Sequence, residues 1–346
     1  MKSPWLVIRS QTVPLSFRVD RRVPSVLLIL AIVTLVAMIV SVSYGEYYVP
    51  PLATIQSILG LDSGNSDYGF IIRTLRLPRT LVAFCVGIGL AIAGTITQGI
   101  TRNVLASPGI IGVNSGASLA AVTLLIVFPS VSSAWLPVVA FIGGLTVAIL
   151  IYLFAWKDGS SPIRLILVGI GLNLIAGALT NLMITFGNIN NVSQALVWLT
   201  GSVYGRSWEQ LLILLPWLLI FGLLALVMAR ELNALSLGDE VARGLGNPIE
   251  WRRGVLLLTS VALASASVAT AGSIGFVGLM SPHIARKLVG GTHEGQLPTA
   301  AMIGGMLVVV ADLAGRMLFA PTELPCGLIT SAIGAPFFIY LLIRKR

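Results

Sequence analysis

Ten blocks of this sequence are apolar for close to the length of a membrane crossing, at about 24–44, 80–100, 108–128, 135–156, 162–186, 208–230, 254–271, 273–290, 298–319 and 325–343. About 20 apolar residues carry a helix across lipid. Inside lipid every backbone polar group has to be satisfied within the chain, which leaves helices as the form for such blocks. Charged residues make up 10% of the chain, against about 25% in a soluble domain. The expected fold class is an all-α polytopic membrane protein of about ten transmembrane helices. Residues 1–23 read as an N-terminal tail and 24–346 as one transmembrane domain.

The first block follows Arg18, Arg21 and Arg22. It is long for a signal peptide and no small-x-small cleavage site follows, so it reads as the first span. Between 254 and 290, Gly272, Gly275 and Gly278 predict a break, and broken helices at membrane depth line cavities. Cys85 and Cys326 sit in or beside apolar blocks and read as packing residues; their spacing suggests neither a disulfide framework nor a metal site.

The net charge of +9 invites comparison with nucleic-acid binders. No block of five like charges occurs, so no nucleic-acid partner is expected. The charge instead records topology. Ten spans put both termini on one side, and with the N-terminus inside, 17 of the 22 basic residues face the cytoplasm, as the positive-inside rule requires. The five left outside are Arg73, Arg76, Arg79, Arg206 and Arg316.

Three of those five lie in "FIIRTLRLPRT", where Arg73, Arg76 and Arg79 fall three residues apart. The topology rule does not call for them. They either snorkel to lipid headgroups, with Asp312 neutralising Arg316 at i, i+4, or present a cationic outer surface to the carboxylates of an acidic partner.

On the inner side, "LNALSLGDEVARGLGNPIEWRRG" (about 231–253) is the longest polar segment after the tail. Ser236 and Asp239 form an S-x-x-D helix start, and Gly246 and Pro248 a stop. Leu237, Val241 and Leu245 fall on one apolar stripe of the enclosed helix. A helix of two to three turns is marginal alone in water, so the stripe packs on its own membrane domain or in the groove of another protein.

No G-x-x-x-x-G-K-[ST] phosphate loop is present, so this chain does not hydrolyse nucleotide by that device. Acidic residues within the spans are nearly absent, Asp312 being the clearest, which argues against an ion-coupled secondary transporter. Ser115 and His283 offer a hydrolase dyad only as a lone serine and a lone histidine, a weak pattern.

The stretches "RLPRTLVAFCVGIGLAIAGTITQGITRNVLASPGIIGVNSGAS" (76–118), "GSIGFVGLMSPHIARKLVG" (272–290), "ADLAGR" (311–316) and "ELPCGLITSAIGAPFFIYLL" (323–342) closely resemble the iron–siderophore and cobalamin permease family of ABC importers. One departure is "RNVLAS", where the family commonly has R-N-P-L-A. The resemblance implies ten helices per subunit, with spans two to five and seven to ten related as an inverted repeat. It implies two permease subunits, identical or sister chains, two ATPase subunits, and an extracytoplasmic substrate-binding protein, in a bacterial cytoplasmic membrane with both termini inside. It maps binding-protein docking onto Arg76, Arg79 and Arg316, with Arg73 an extra contact or a headgroup anchor. It maps ATPase coupling onto Leu237, Gly238, Glu240, Ala242, Leu245 and Gly246, beside Val241 of the stripe. Asn173, Asn181 and Ser193 are the candidate path residues. No cofactor is expected on this chain, ATP belonging to the partner subunit. The cargo implied is a ferric siderophore, with haem or cobalamin the alternative.

Overall fold

The structure is a computed structural model that describes residues 5–9, 16–45, 47–61, 66–156, 161–244, 246 and 248–344. Leu245 and the basic residues Lys2, Lys157, Lys345 and Arg346 lie outside the described residues.

Each apolar block coincides with a helix. These are α1 (Arg22–Ser43), α4 (Leu77–Thr101), α5 (Val113–Val127), α6 (Leu136–Ala155), α7 (Pro162–Phe186), α9 (Trp208–Val227), α12 (Ile249–Ala271), α13 (Val277–Val289), α14 (His293–Met317) and α15 (Cys326–Arg344). Among the described residues, seven helical runs are long and apolar enough to cross a membrane; α5, α13 and the described part of α15 are not among them. Shorter helices fill the connections: α2 (Pro51–Leu59), α3 (Ser66–Phe70), α8 (Ile189–Leu199), α10 (Ala229–Ser236) and α11 (Asp239–Gly244). The tail carries an antiparallel ribbon that was not foreseen, β1 (Trp5–Arg9) with β2 (Ser16–Asp20), Trp5 opposite Asp20.

α4, α12 and α14 form the centre. Of the most apolar window of each, 78%, 83% and 61% is buried, against 17% in α1 and 22% in α9. The central helices are rich in glycine, alanine and hydroxyls, which let backbones approach closely in lipid. Methyl groups added at Gly87 and Gly304 would each strike the other helix's backbone, and one at Gly94 would strike Gly278. Several of the hydroxyls are satisfied locally or across the contact, while Ser265 Oγ and Thr299 Oγ1 are buried without a partner. Thr97 donates to the Ala93 carbonyl (2.8 Å) and sits 3.0 Å from Ser260 Oγ, which itself donates to Ala93 (2.9 Å). Gly94→Ala is expected to cost about 1–3 kcal/mol through overpacking, read as a lower unfolding midpoint in detergent.

The predicted break lies at 272–276, between α12 and α13. Gly272 (φ 73°) and Phe276 (φ 64°) take left-handed conformations there, and the Ala271 carbonyl accepts from Ser202 N–H at 2.7 Å. The break is thereby docked on the chain that follows α8. The turn after α4 closes without the family's proline, because Asn103 Oδ1 accepts the Leu105 N–H (3.0 Å).

Candidate functional site

α14 runs from His293 to Met317, a length of roughly 36 Å at 1.5 Å per residue. Its two ends define two sites, and α4 runs beside it between them.

At the Arg316 end, the chain before α4 winds as a π-helix over Ile71–Arg76. The wider winding sends the three arginines to different partners despite their equal spacing. Arg73 is exposed and its Nε donates to the Ser57 carbonyl at the end of α2. Arg76 is half-buried and donates to the carbonyls of Val42 (3.1 Å), Ser43 (3.1 Å) and Tyr47 (2.6 Å). Arg79 donates to Asp312 Oδ1 through Nε (3.2 Å) and Nη2 (2.8 Å), and its Nη2 also lies 2.9 Å from Glu323 Oε2. Arg316 donates to the carbonyls of Tyr44 and Ser41 (3.0 Å each) and to Ser41 Oγ (2.7 Å). Its Nε lies 3.2 Å from Asp312 Oδ2, an ion pair at i, i+4 whose angle falls short of a hydrogen bond.

Arg76 and Arg316 thus serve the orphan carbonyls at the C-terminal end of α1, where a cation also suits the helix dipole. Arg316 is 8% exposed. This corrects the expectation of a row of guanidinium forks open to the exterior: Arg73 stands open, Arg76 and Arg79 line a recess, and Arg316 is consumed by internal partners. The recess is a cavity of about 750 Å³ lined by Arg76, Arg79, Arg206, Arg316, Tyr47, Tyr204 and Glu323 among others. The Arg79 guanidinium lies 5.5 Å over the Tyr204 ring. Glu323 and Tyr204 carried no periodic signal in the sequence. Glu323 could have been found as the one acid in "ELPCG", directly before the last apolar block.

At the other end, α10 is anchored by buried Leu232 and Leu235. Ser236 is its last residue and donates to the Asn233 carbonyl (2.7 Å), so it does not cap the next helix as its spacing suggested. Gly238, at φ 114°, makes a bend that a side chain disfavours, and α11 starts after it. Asp239 Oδ1 accepts from Arg253 Nη2 at 2.7 Å and lies 3.5 Å from Arg102 Nη2, tying α11 to the start of α12 and the end of α4. Arg253 is 1% exposed. Asn233 ties α10 to α14, its Oδ1 accepting from His293 N–H (2.9 Å) and its Nδ2 donating to Glu294 (2.7 Å).

On this scaffold Leu237 is 65% exposed and Val241 49%, and Glu240 and Gly246 are exposed. Ala242 is buried, which corrects its place among the contact candidates: it holds α11 down. Both Leu237 and Val241 face away from their own domain, but Leu237 caps α10 before the Gly238 bend and only Val241 lies on α11, which corrects the expectation of one helical stripe.

The path candidates do not converge. Asn173 Nδ2 donates to the Gly109 carbonyl (3.0 Å). Asn181 lines a polar pocket of about 180 Å³ with Asn114, Ser115, Ser118 and Thr180. Ser193, on α8, donates to the Ile189 carbonyl (2.9 Å) and lines a different cavity of about 440 Å³. His283 packs edge-on against Phe337 of α15, while Ser115 lies in the polar pocket. Both cysteines are buried and unpaired. Among the described residues no group of three His, Cys, Asp or Glu is placed to hold a metal ion.

Seven crossing-length apolar helices among the described residues, with charge gathered at the two ends of the central pair, define a multi-pass membrane protein. The chain belongs to the FecCD transport family, which matches residues 33–344. It is 44% identical to the "Probable siderophore transport system permease protein YfhA" of Bacillus subtilis, over 93% of this chain and 95% of that protein. It is 42% identical to the Fe(3+)-citrate import system permease protein YfmE of the same organism, over 94% and 96%. A solved structure described as "an inward-facing conformation of a putative metal-chelate type ABC transporter" superposes with a TM-score of 0.84 at 32% identity, covering 93% of this chain and 99% of that one.

Proposed function

We propose that this chain is a permease subunit of an ATP-binding-cassette importer that carries a ferric siderophore or similar iron chelate across the bacterial cytoplasmic membrane. The relatives named for siderophore and ferric-citrate import support the cargo class. The observation that carries the reading is the separation of two unlike surfaces along α4 and α14. An arginine-lined cavity stands at one end, and an exposed apolar pair, Leu237 and Val241, at the other.

The arginine end faces out, because the opposite orientation would leave 17 of 22 basic residues outside. The chain crosses ten times, with α5, α13 and α15 as short spans and two halves inverted on each other. Substrate-binding protein settles over the arginine end, meeting Arg73 first and the recessed Arg76 and Arg79 at the cavity rim. Arg316 acts from below by holding Asp312 and the end of α1. Two ATPase subunits, which bind the ATP, take the exposed apolar pair, Leu237 at the end of α10 and Val241 on α11. Their movement passes through Asp239 and Asn233 into α12, α4 and α14. This chain supplies path and docking surfaces, and no cofactor of its own.

A second permease chain, identical or sister, covers α7. That helix has the mean hydropathy of central α4, 2.0, yet only 22% of its window is buried against 78%. Gly171 and Gly177 have nothing packed over them within 4 Å. The chelate passes along this face, by Asn181.

The test is uptake of iron-labelled chelate into vesicles holding permease and ATPase, with binding protein outside. Uptake is expected to need both ATP and binding protein. Transport that follows an imposed ion gradient and ignores ATP would make the chain a secondary carrier. Arg73→Glu is expected to weaken binding-protein association about fivefold at low salt and less at high salt.

A further inference from the structure

We propose that the arginine-lined cavity is itself a binding site for an anionic iron chelate, with Arg206 as the residue that receives its carboxylate or catecholate oxygens. This rests on the importer reading and adds that the permease selects the charge of its cargo.

Four guanidinium groups line the cavity. Asp312 and Glu323 offset Arg79 and Arg316. Arg76 is spent on carbonyls, which satisfy its N–H groups without cancelling its charge. Arg206 is in a different position: its Nε, like that of Arg316, is buried without a hydrogen-bond partner, but unlike Arg316 it is reached by no ion pair among the described residues. Burial lowers its pKa below the ordinary guanidinium value, yet arginine stays charged at neutral pH. Arg206 is half-buried, so its unpaired charge is partly desolvated at a cost, and an arriving anion offsets that cost. The excess of positive charge focuses the field in the recess and draws anions to it.

Position distinguishes cargo from binding protein as the source of that anion. Arg206 lines both the outer cavity and the second one of about 440 Å³ behind α8, which reaches Ser193 and Gln194. A carboxylate on a protein surface meets exposed Arg73 first. The outer volume of about 750 Å³ is that of a small-molecule site, and a planar fork suits bidentate oxygen pairs.

The experiment holds the permease–ATPase complex in nanodiscs without binding protein. It is titrated with ferric citrate and with a ferric trihydroxamate bearing no negative charge. Quenching of tryptophan fluorescence is the readout, Trp198 lying on the second cavity. Saturable quenching by ferric citrate is expected, with the dissociation constant raised about tenfold or more in Arg206→Gln, partly recovered in Arg206→Lys, and unchanged in Arg73→Gln. The trihydroxamate should be indifferent to all three. Absence of saturable ferric-citrate binding to the wild type overturns the proposal. So does equal affinity of Arg206→Gln and the wild type for ferric citrate. ATP-driven chelate uptake by the same variant would show that the importer reading survives such a failure.

Discussion

Replacing Asp312 by alanine will lower the unfolding midpoint of the detergent-solubilised protein more than any other single change at the arginine end. The carboxylate is 3% exposed and is shared by Arg79, at 2.8 Å, and Arg316, at 3.2 Å. Truncation leaves Arg79 with Glu323 at 2.9 Å. It leaves Arg316, whose side chain is 6% exposed, with carbonyls and Ser41 alone. Breaking a buried pair in this way costs about 3–5 kcal/mol, because the remaining charge stays buried and unpaired. The same source predicts a rescue. Removing the stranded charge as well, in Asp312→Ala with Arg316→Met, should recover part of the loss, though the C-terminal carbonyls of α1 then go unserved. An alanine variant as stable as the wild type would mean that Asp312 is not the keystone of this end.

The pairing also shows where sequence reasoning stopped. Apolar block length placed a helix in each block, with ends off by up to five residues, because in lipid the length of a block decides the element more than its periodicity does. It did not say which helices lie inside. Hydropathy runs against the soluble-protein intuition: α1 and α9, at 2.9 and 2.5, are peripheral, while α12 and α14, at 1.8, are central. Lipid rewards an apolar outer face, and close helix contact rewards glycine, alanine and serine. The i, i+4 pair of Asp312 with Arg316 was legible, since both partners sit on one helix. Arg79 with Asp312 was not, because 233 residues separate them. Arg253 read as one more charge obeying the positive-inside rule, whereas it is buried against Asp239. Ser236 looked like a cap because its spacing to Asp239 was right; the bend at Gly238, a backbone feature, put it on the preceding helix.

That bend gives the second large effect. Val241→Asp should abolish chelate uptake while leaving the membrane domain folded. Val241 is 49% exposed on α11, so the new carboxylate is solvated in the isolated chain and stability should change by no more than about 0.5 kcal/mol. On the docking proposed above the same position becomes an apolar anchor, and a charge forced into a docking groove would cost about 2 kcal/mol or more, some thirtyfold in affinity. Leu237→Asp should behave alike, Leu237 being 65% exposed. Arg253→Met, by contrast, acts from inside: it releases Asp239 from its 2.7 Å partner and loosens α11 from α12 without altering the exposed face. The measurement is uptake and ATP hydrolysis on the same reconstituted sample. A docking-face variant loses ATPase from the complex in proportion to lost uptake. A variant broken at the Asp239 tie keeps the ATPase bound and hydrolyses ATP without moving cargo. If Val241→Asp transports as well as the wild type, the exposed apolar pair is not where the motor grips, and the surface that turns ATP into motion lies elsewhere on the chain.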